Sequence, residues 1–224
     1  PAPPSPPSPP MAPPPPTAPP AQPTAVADAR FGCGYPGPHR AEPSSTDALE
    51  RAVDDSEVTC IRLAPVVYAL LSKLFVPSGR TLAIVADDGQ ATLDGGGSVG
   101  PMLTSLEGAD VVLANLRLRN GNSTQCCGGA IYNWKGTMEM HACTFDGNHA
   151  GREAGAVYNR WGTIKMQACT FDDNHAEQDG GAVYNDQGTM AVHGCNFTNC
   201  SAEVLLLPRP AIIATAPPPP RLSF

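Results

Sequence analysis

The chain has 224 residues and a net charge of −7, with 14 Lys and Arg against 21 Asp and Glu. It has no basic cluster, which excludes nucleic acid as a partner, and no apolar run of ~18 residues, which excludes a membrane-spanning helix. Eight cysteines are many for a reducing cytosol and point to a secreted or cell-surface protein.

Fourteen of the 26 prolines fall in residues 1–23 and four more form residues 217–220. Proline at this density forms neither helix nor sheet and settles into an extended polyproline II rod. Residues 1–28 are therefore expected to be a disordered or polyproline arm, residues 29–206 a folded domain, and residues 207–224 a Pro-rich tail. The arm resembles the Ser-Pro-rich stalks of algal and plant cell-wall glycoproteins, which act as stiff spacers. The chain opens on Pro1 rather than Met, so a fragment is expected, with any signal peptide out of view.

Residues 30–43 read as a Gly/Pro-rich loop holding Cys33. Thr46-Asp47-Ala48-Leu49-Glu50-Arg51-Ala52-Val53 follows as a short amphipathic helix, at about 46–55. Thr46 or Asp47 is its expected cap. Its expected role is to cover the open end of a strand stack. Residues 58–63 read as the first strand and contain Cys60. Cys33 and Cys60 are the only cysteines of the first half, and they are predicted to pair. Residues 74–76, 82–85 and 91–93 are further strands, and residues 111–118 alternate as one more.

From Gly128 onward the chain repeats. Tyr132, Tyr158 and Tyr184 are 26 residues apart, and so are Cys143, Cys169 and Cys195. A fixed period of this length marks a stacked-repeat architecture. Each copy holds three strand candidates, such as residues 130–132, 137–140 and 143–145. Gly136, Gly162 and Gly188 mark the turn after the first strand, and Asn133, Asn159 and Asn185 precede it, where Asn tolerates left-handed backbone. Stacked coils lie about 4.8 Å apart, so like falls on like. The predicted core ladders are Met138/Ile164/Met190, Met140/Met166/Val192, Phe145/Phe171/Phe197 and Cys143/Cys169/Cys195. The cysteines are read as packed thiols, because side chains in register point the same way. Glu139, His141, Lys165, Gln167 and His193 are read as solvent-facing. Counting the weaker upstream copies gives five or six coils.

Gly128-Gly129-Ala130-Ile131, Gly180-Gly181-Ala182-Val183, Phe145-Asp146-Gly147-Asn148 and Phe171-Asp172-Asp173-Asn174 resemble the repeats of chlamydial polymorphic outer membrane proteins. Two copies depart from that pattern: Ala154-Gly155-Ala156-Val157 lacks the first Gly, and Phe197-Thr198-Asn199-Cys200 ends on Cys200. The resemblance implies an all-β fold, a right-handed parallel β-helix (solenoid), on an exported, surface-displayed protein. A looser pectate-lyase-like pattern covers residues 45–200. The Pro-rich arm lies outside the family pattern and fits a eukaryotic, algal-type secreted protein.

The expected function is a non-catalytic module for adhesion, wall association or scaffolding. Its expected partners are a cell-wall or surface glycan, or another surface protein, and no cofactor is implied. The alternative is a polysaccharide lyase or glycoside hydrolase of the pectin-lyase-like class. That chemistry needs converging carboxylates, for which Glu139, Lys165, Asp172 and Asp173 are the weak candidates. Glu139 and Lys165 on neighbouring coils form an ion pair before they form a catalytic pair. His141 and His193 are two coils apart, too far to share a metal. His149 and His175 stack and read as turn residues. Trp134 and Trp161 occupy different rungs, which favours packing over a sugar platform. The sequon Asn122-Ser123-Thr124, in a polar loop, is the expected glycosylation site. The pairing of Cys126, Cys127 and Cys200 cannot be read.

Overall fold

A computed structural model describes Cys33 and residues 39–87 and 89–202. The predicted arm, the tail and an apolar run at 204–207 lie outside the described residues. The chain forms an all-β parallel solenoid of about five turns with one short helix.

Helix α1 (Thr46–Asp54) buries Leu49 and Val53. Its N-cap is Ser45, whose extended backbone lets Oγ accept from the Ala48 N–H at 3.3 Å. The cap is thus one residue ahead of the predicted Thr46 or Asp47, which already lie in helical backbone. Asp47 instead sits in the first turn, where its charge favours the helix dipole. At the other end the Arg80 guanidinium donates to the carbonyls of Val53, Asp55 and Val58. One cation on the first complete coil therefore satisfies orphan carbonyls of the helix and the turn behind it.

The strands follow in order: β1 (Arg40–Ala41), β2 (Cys60–Leu63), β3 (Val67–Ala69), β4 (Leu74–Val76), β5 (Thr81–Ala86), β6 (Ala91–Asp94), β7 (Leu103–Ser105), β8 (Asp110–Ala114), β9 (Leu116–Arg119), β10 (Asn122–Ser123) and β11 (Ile131–Trp134). Then come β12 (Thr137–His141), β13 (Thr144–Asp146), β14 (His149–Ala150), β15 (Val157–Arg160), β16 (Thr163–Gln167), β17 (Thr170–Asp172), β18 (His175–Ala176), β19 (Val183–Asp186), β20 (Thr189–His193), β21 (Asn196–Thr198) and β22 (Ser201–Ala202). Four parallel sheets result. A seven-stranded sheet runs β1-β2-β5-β8-β12-β16-β20, and a six-stranded one β21-β17-β13-β9-β6-β3. A five-stranded sheet runs β19-β15-β11-β7-β4, and a four-stranded one β10-β14-β18-β22.

Several elements differ from the sequence reading. β1 lies inside the expected loop, because it adds an edge strand parallel to β2. β3 and β7 were not foreseen. The segment 111–118 is two strands, bent at Asn115 with φ 56°. Later coils have four strands rather than three, the extra one being the two-residue member of the four-stranded sheet. That sheet begins only at β10, so the upstream coils lack this side.

The core ladders lie in the predicted register. Met138 pairs with Ile164 and Ile164 with Met190; Met140 pairs with Met166 and Met166 with Val192. Phe145, Phe171 and Phe197 stack with ring centroids 4.7 and 4.6 Å apart. Cys143 and Cys169 are buried free thiols, and Cys195, on the last coil, is half-buried. A hydrogen bond with Cys143 and burial push the Cys169 thiol well up, and its bond with Cys169 and burial do the same to Cys195. Thiols held neutral in this way act as small apolar groups.

The asparagines need a different account from the one the sequence suggests. The left-handed residues of that corner are Lys135, Trp161 and Gln187, not the asparagines two positions earlier. Asn133 and Asn159 are fully buried and point inward. The Ser105 hydroxyl donates to Asn133 Oδ1 at 2.6 Å, Asn133 Nδ2 to Asn159 Oδ1 at 2.8 Å, and Asn159 Nδ2 to Asn185 Oδ1 at 2.7 Å. Each amide also donates to a carbonyl of its own corner: Gly136, Gly162 or Gly188. A Cβ on Gly162 would lie 2.3 Å from Asn133 Nδ2, so glycine is there to make room for the amide. The asparagines of the Phe-x-x-Asn motif form a second ladder. Asn148 Nδ2 donates to Asn174 Oδ1 at 2.9 Å, and Cys200 occupies the next rung, 3.8 Å from Asn174 Nδ2. The Gly-Gly-Ala motif marks another corner. Gly128 and Gly180 have φ near 65°, and Ala154 holds the same conformation at φ 60°.

Candidate functional site

Ligand-facing chemistry on a solenoid must come from the outward residues of its sheets, because the inward ones are packed. On the seven-stranded sheet the outward column runs Val112, Glu139, Lys165 and Ala191. Lys165 Nζ donates to Glu139 Oε1 at 3.1 Å, so the two weak catalytic candidates form the expected cross-strand ion pair. Glu139 is covered more than the sequence suggests: its side chain is 13% exposed against 61% for Lys165. His141 Nε2 stands 3.9 Å from Glu139 Oε2 and is likewise mostly covered. Upstream, the outward Ala83, Val85, Val112 and Ala114 are buried with Cys33 and Cys60. The predicted disulfide is present there, with Cα atoms 5.4 Å apart. Arg40 and Arg62 both donate to the Cys33 carbonyl. This bridge explains why the face turns apolar toward the capped end.

The six-stranded sheet carries an ionic column that the sequence reading missed. Asp94 pairs with Arg119, Arg119 with Asp146, and Asp146 with Asp172. Arg119 binds Asp94 at 2.8 Å, and Arg117 reaches Asp146 diagonally. The signal was the alternation Leu116-Arg117-Leu118-Arg119, which buries both leucines and turns both arginines outward. Burial raises the Asp94 pKa. Hydrogen bonds from the Gly96 N–H, Asn120 Nδ2 and Arg119, with the Arg119 charge, outweigh it and hold Asp94 below the usual carboxylate range. Asp172 accepts from Asn199 Nδ2 at 3.4 Å. Asp173 is adjacent in sequence but sits at a left-handed corner with φ 51°. The two aspartates therefore do not act as one pair.

The outward face of the five-stranded sheet is aromatic. Tyr132, Tyr158 and Tyr184 stack at 5.3 and 5.6 Å. Tyr158 Oη donates to Asp186 Oδ2 at 3.2 Å. Burial, with the Asp186 and Glu153 carboxylates nearby, pushes its phenol well up. Trp134 and Trp161 occupy different rungs, as expected, and each has a cation over its ring: Lys135 at 5.0 Å and Arg160 at 4.3 Å. Trp161 remains 41% exposed. Cys126 and Cys127, whose pairing was unreadable, stand side by side as a vicinal disulfide against this face.

On the four-stranded sheet His149 pairs with His175, their rings 5.4 Å apart. They lie on strands and are partly buried, where the sequence suggested solvated turns. Gln167 stands between His141 and His193. Asn122 also lies in a strand, β10, rather than in a loop. Among the described residues no three His, Cys, Asp or Glu side chains converge to hold a metal ion, and no helix is long and apolar enough to cross a membrane.

No curated protein and no solved structure matches the chain. Residues 168–186, which run from the Cys169 rung through the third Gly-Gly-Ala block to Asp186, match the Chlamydia polymorphic membrane protein (Chlamydia_PMP) repeat.

Proposed function

We propose that this chain is a non-catalytic β-helical module of a secreted or cell-surface protein, serving adhesion, wall association or scaffolding. Its partner is a surface glycan or another surface protein. The observation that carries the reading is the aromatic and cationic face of the five-stranded sheet. Tyr132, Trp134, Arg160 and Trp161 form a rigid outward surface there, and Tyr, Trp and Arg are the residue types that dominate protein contact surfaces. The Tyr rings cover one another's faces and present edges and hydroxyls, while Trp161 keeps open surface for stacking. Three further facts support the reading. Residues 168–186 match a repeat named for a membrane protein of Chlamydia. The Cys33–Cys60 bridge suits an oxidising compartment. The outward carboxylates Glu139, Asp94 and Asp146 are spent in ion pairs.

A glycan and surface-protein array probed with the whole chain tests this proposal. Binding that is lost in Trp161→Ala, with no turnover of pectin, alginate or related uronans, is the expected result. The second reading, a pectin-lyase-like lyase or hydrolase, draws on the Arg117, Arg119, Asp146 and Asp172 column. Uronan turnover, with or without Ca²⁺, that is abolished by Asp172→Asn or Glu139→Gln would establish the second reading and sink the first.

A further inference from the structure

We infer that Asn122 is an N-glycosylation site whose first sugar seats in a hollow formed where the four-stranded sheet begins. The argument starts from topology. β10 is the first strand of that sheet, and the chain upstream of it is a glycine turn, 95–100, whose Val99 carbonyl accepts the Asn122 N–H at 3.0 Å and whose glycines put no side chain over Asn122. Downstream residues in the same column, His149, His175 and Ser201, each lie against a preceding strand. That turn, with glycines in place of side chains, leaves an open hollow of about 400 Å³ beside Asn122, walled by Asp94, Asn120 and His149 and floored by glycine backbone. That volume lies within the ~300–1,000 Å³ of small-molecule sites.

The amide geometry suits a linked sugar. Asn122 Nδ2 donates to the Gly97 carbonyl at 2.9 Å, and His149 Nδ1 lies 3.2 Å from Asn122 Oδ1. A primary amide has two N–H groups. Glycosylation replaces one and keeps the other, so a linked Asn122 still has one N–H to donate. The walls then offer hydroxyl partners. Asn120 Nδ2 already donates to Asp94 Oδ1 at 3.0 Å, which fixes the Asn120 amide at the rim. Two further sequons, Asn196-Phe197-Thr198 and Asn199-Cys200-Ser201, lack this setting. Asn196 Nδ2 donates to the hydroxyl of Thr198, the third residue of its own sequon, and Asn199 occupies a left-handed corner.

The chemistry is a glycosyl transfer from a lipid-linked oligosaccharide diphosphate, the named co-reactant. The amide nitrogen attacks the anomeric carbon and a C–N bond forms. The anomeric C–O bond breaks, the lipid diphosphate leaves with the electron pair, and the transferase takes one amide proton. The inference rests on the proposed secretory passage.

The test expresses the full chain through the secretory pathway of insect cells and maps it by mass spectrometry. The expected result is a glycan on Asn122 that is lost in Asn122→Gln, together with the Cys33–Cys60 disulfide. The disulfide with an unmodified Asn122 overturns the inference and leaves the secretory reading standing. A reduced Cys33–Cys60 pair counts against the secretory reading itself. The seat is read separately, with native protein and an endoglycosidase that cuts within the chitobiose core. The core should resist cleavage in the wild type and become at least tenfold more susceptible in His149→Ala, which removes one wall. Equal cleavage of both proteins refutes the seat.

Discussion

The buried amide ladder is expected to be a main source of coil-to-coil specificity, and Asn159→Leu tests it. Asn159 is fully buried, accepts from Asn133 Nδ2 and donates to the Gly162 carbonyl and Asn185 Oδ1. Leucine has a similar size and removes these three bonds and the longer one from Asn159 Nδ2 to the Thr189 carbonyl at 3.3 Å. One N–H of Asn133 is left buried without a partner, at about 1–3 kcal/mol, while the Gly162 carbonyl keeps the Thr189 N–H and loses only its second bond, at about 0.5–1.5 kcal/mol. Asn185 Oδ1 is on the half-exposed last coil, where water replaces the lost donor. Burying the leucine side chain offsets about 1–2 kcal/mol. The net loss is about 0.5–2.5 kcal/mol, read as a lower urea midpoint by far-UV CD on the full chain. Asn159→Asp should cost more at neutral pH, because a carboxylate oxygen then faces two acceptors. The fold favours the protonated acid, so the folded pKa rises above the unfolded ~3.9. The variant is then most stable below that value and loses stability as pH rises through the folded pKa. An Asn159→Leu midpoint equal to or above that of wild type, or an Asn159→Asp penalty that does not vary with pH, would refute the ladder's role.

Arg80→Met should loosen the cap by about 2–4 kcal/mol, since it removes charge-assisted bonds to three carbonyls; faster hydrogen exchange confined to residues 46–58 is the readout. Ala168 is exposed with φ 53°, at the corner where the next coil has Gly194 at φ 59°. Ala168→Gly should therefore stabilise by about 0.5 kcal/mol, the left-handed strain relieved less the added chain entropy, and an unchanged or lower Tm counts against it. Asp94 has a depressed pKa. Its contribution is present above the unfolded ~3.9 and lost as pH falls through the lower folded value, so Asp94→Asn should flatten that acid limb of the stability curve; an identical limb in both proteins removes the assignment.

What the sequence made legible was what repeats. The 26-residue step put Met, Phe and Cys on fixed rungs, and the structure keeps that register. The direction in which a polar residue points was less legible. Asn133 and Asn159 read as turn residues because Asn suits both a left-handed corner and a buried amide ladder, and only the neighbouring coil decides between them. Glu139 read as solvated because period-2 alternation gives a face but not its cover. Arg117 and Arg119 were missed for a different cause: they precede the obvious copies, where the step is no longer constant. Thr81 pairs with Asp110 across 29 residues, Asp110 with Thr137 across 27, and Thr137 with Thr163 across 26. A self-comparison at one period loses such coils.

The drift in coil length has a chemical consequence. A regular solenoid stacks like on like, so every outward group meets a copy of itself and tends to be spent in a ladder, as the tyrosines and the paired histidines are. Binding groups with free valence arise where the stacking rule fails. Sheet length fails at β10, which leaves room beside Asn122. Residue type fails at the Cys126–Cys127 disulfide, which is followed one coil on by Arg152 and Glu153, a cation and an acid. It fails again at Trp134, whose rung continues as Arg160 and Asp186. The face proposed to bind a partner and the hollow proposed to seat a sugar both border these departures. The regular ladders therefore supply the rigidity, and the irregular rungs, within the first coils to carry all four strands, supply the recognition chemistry.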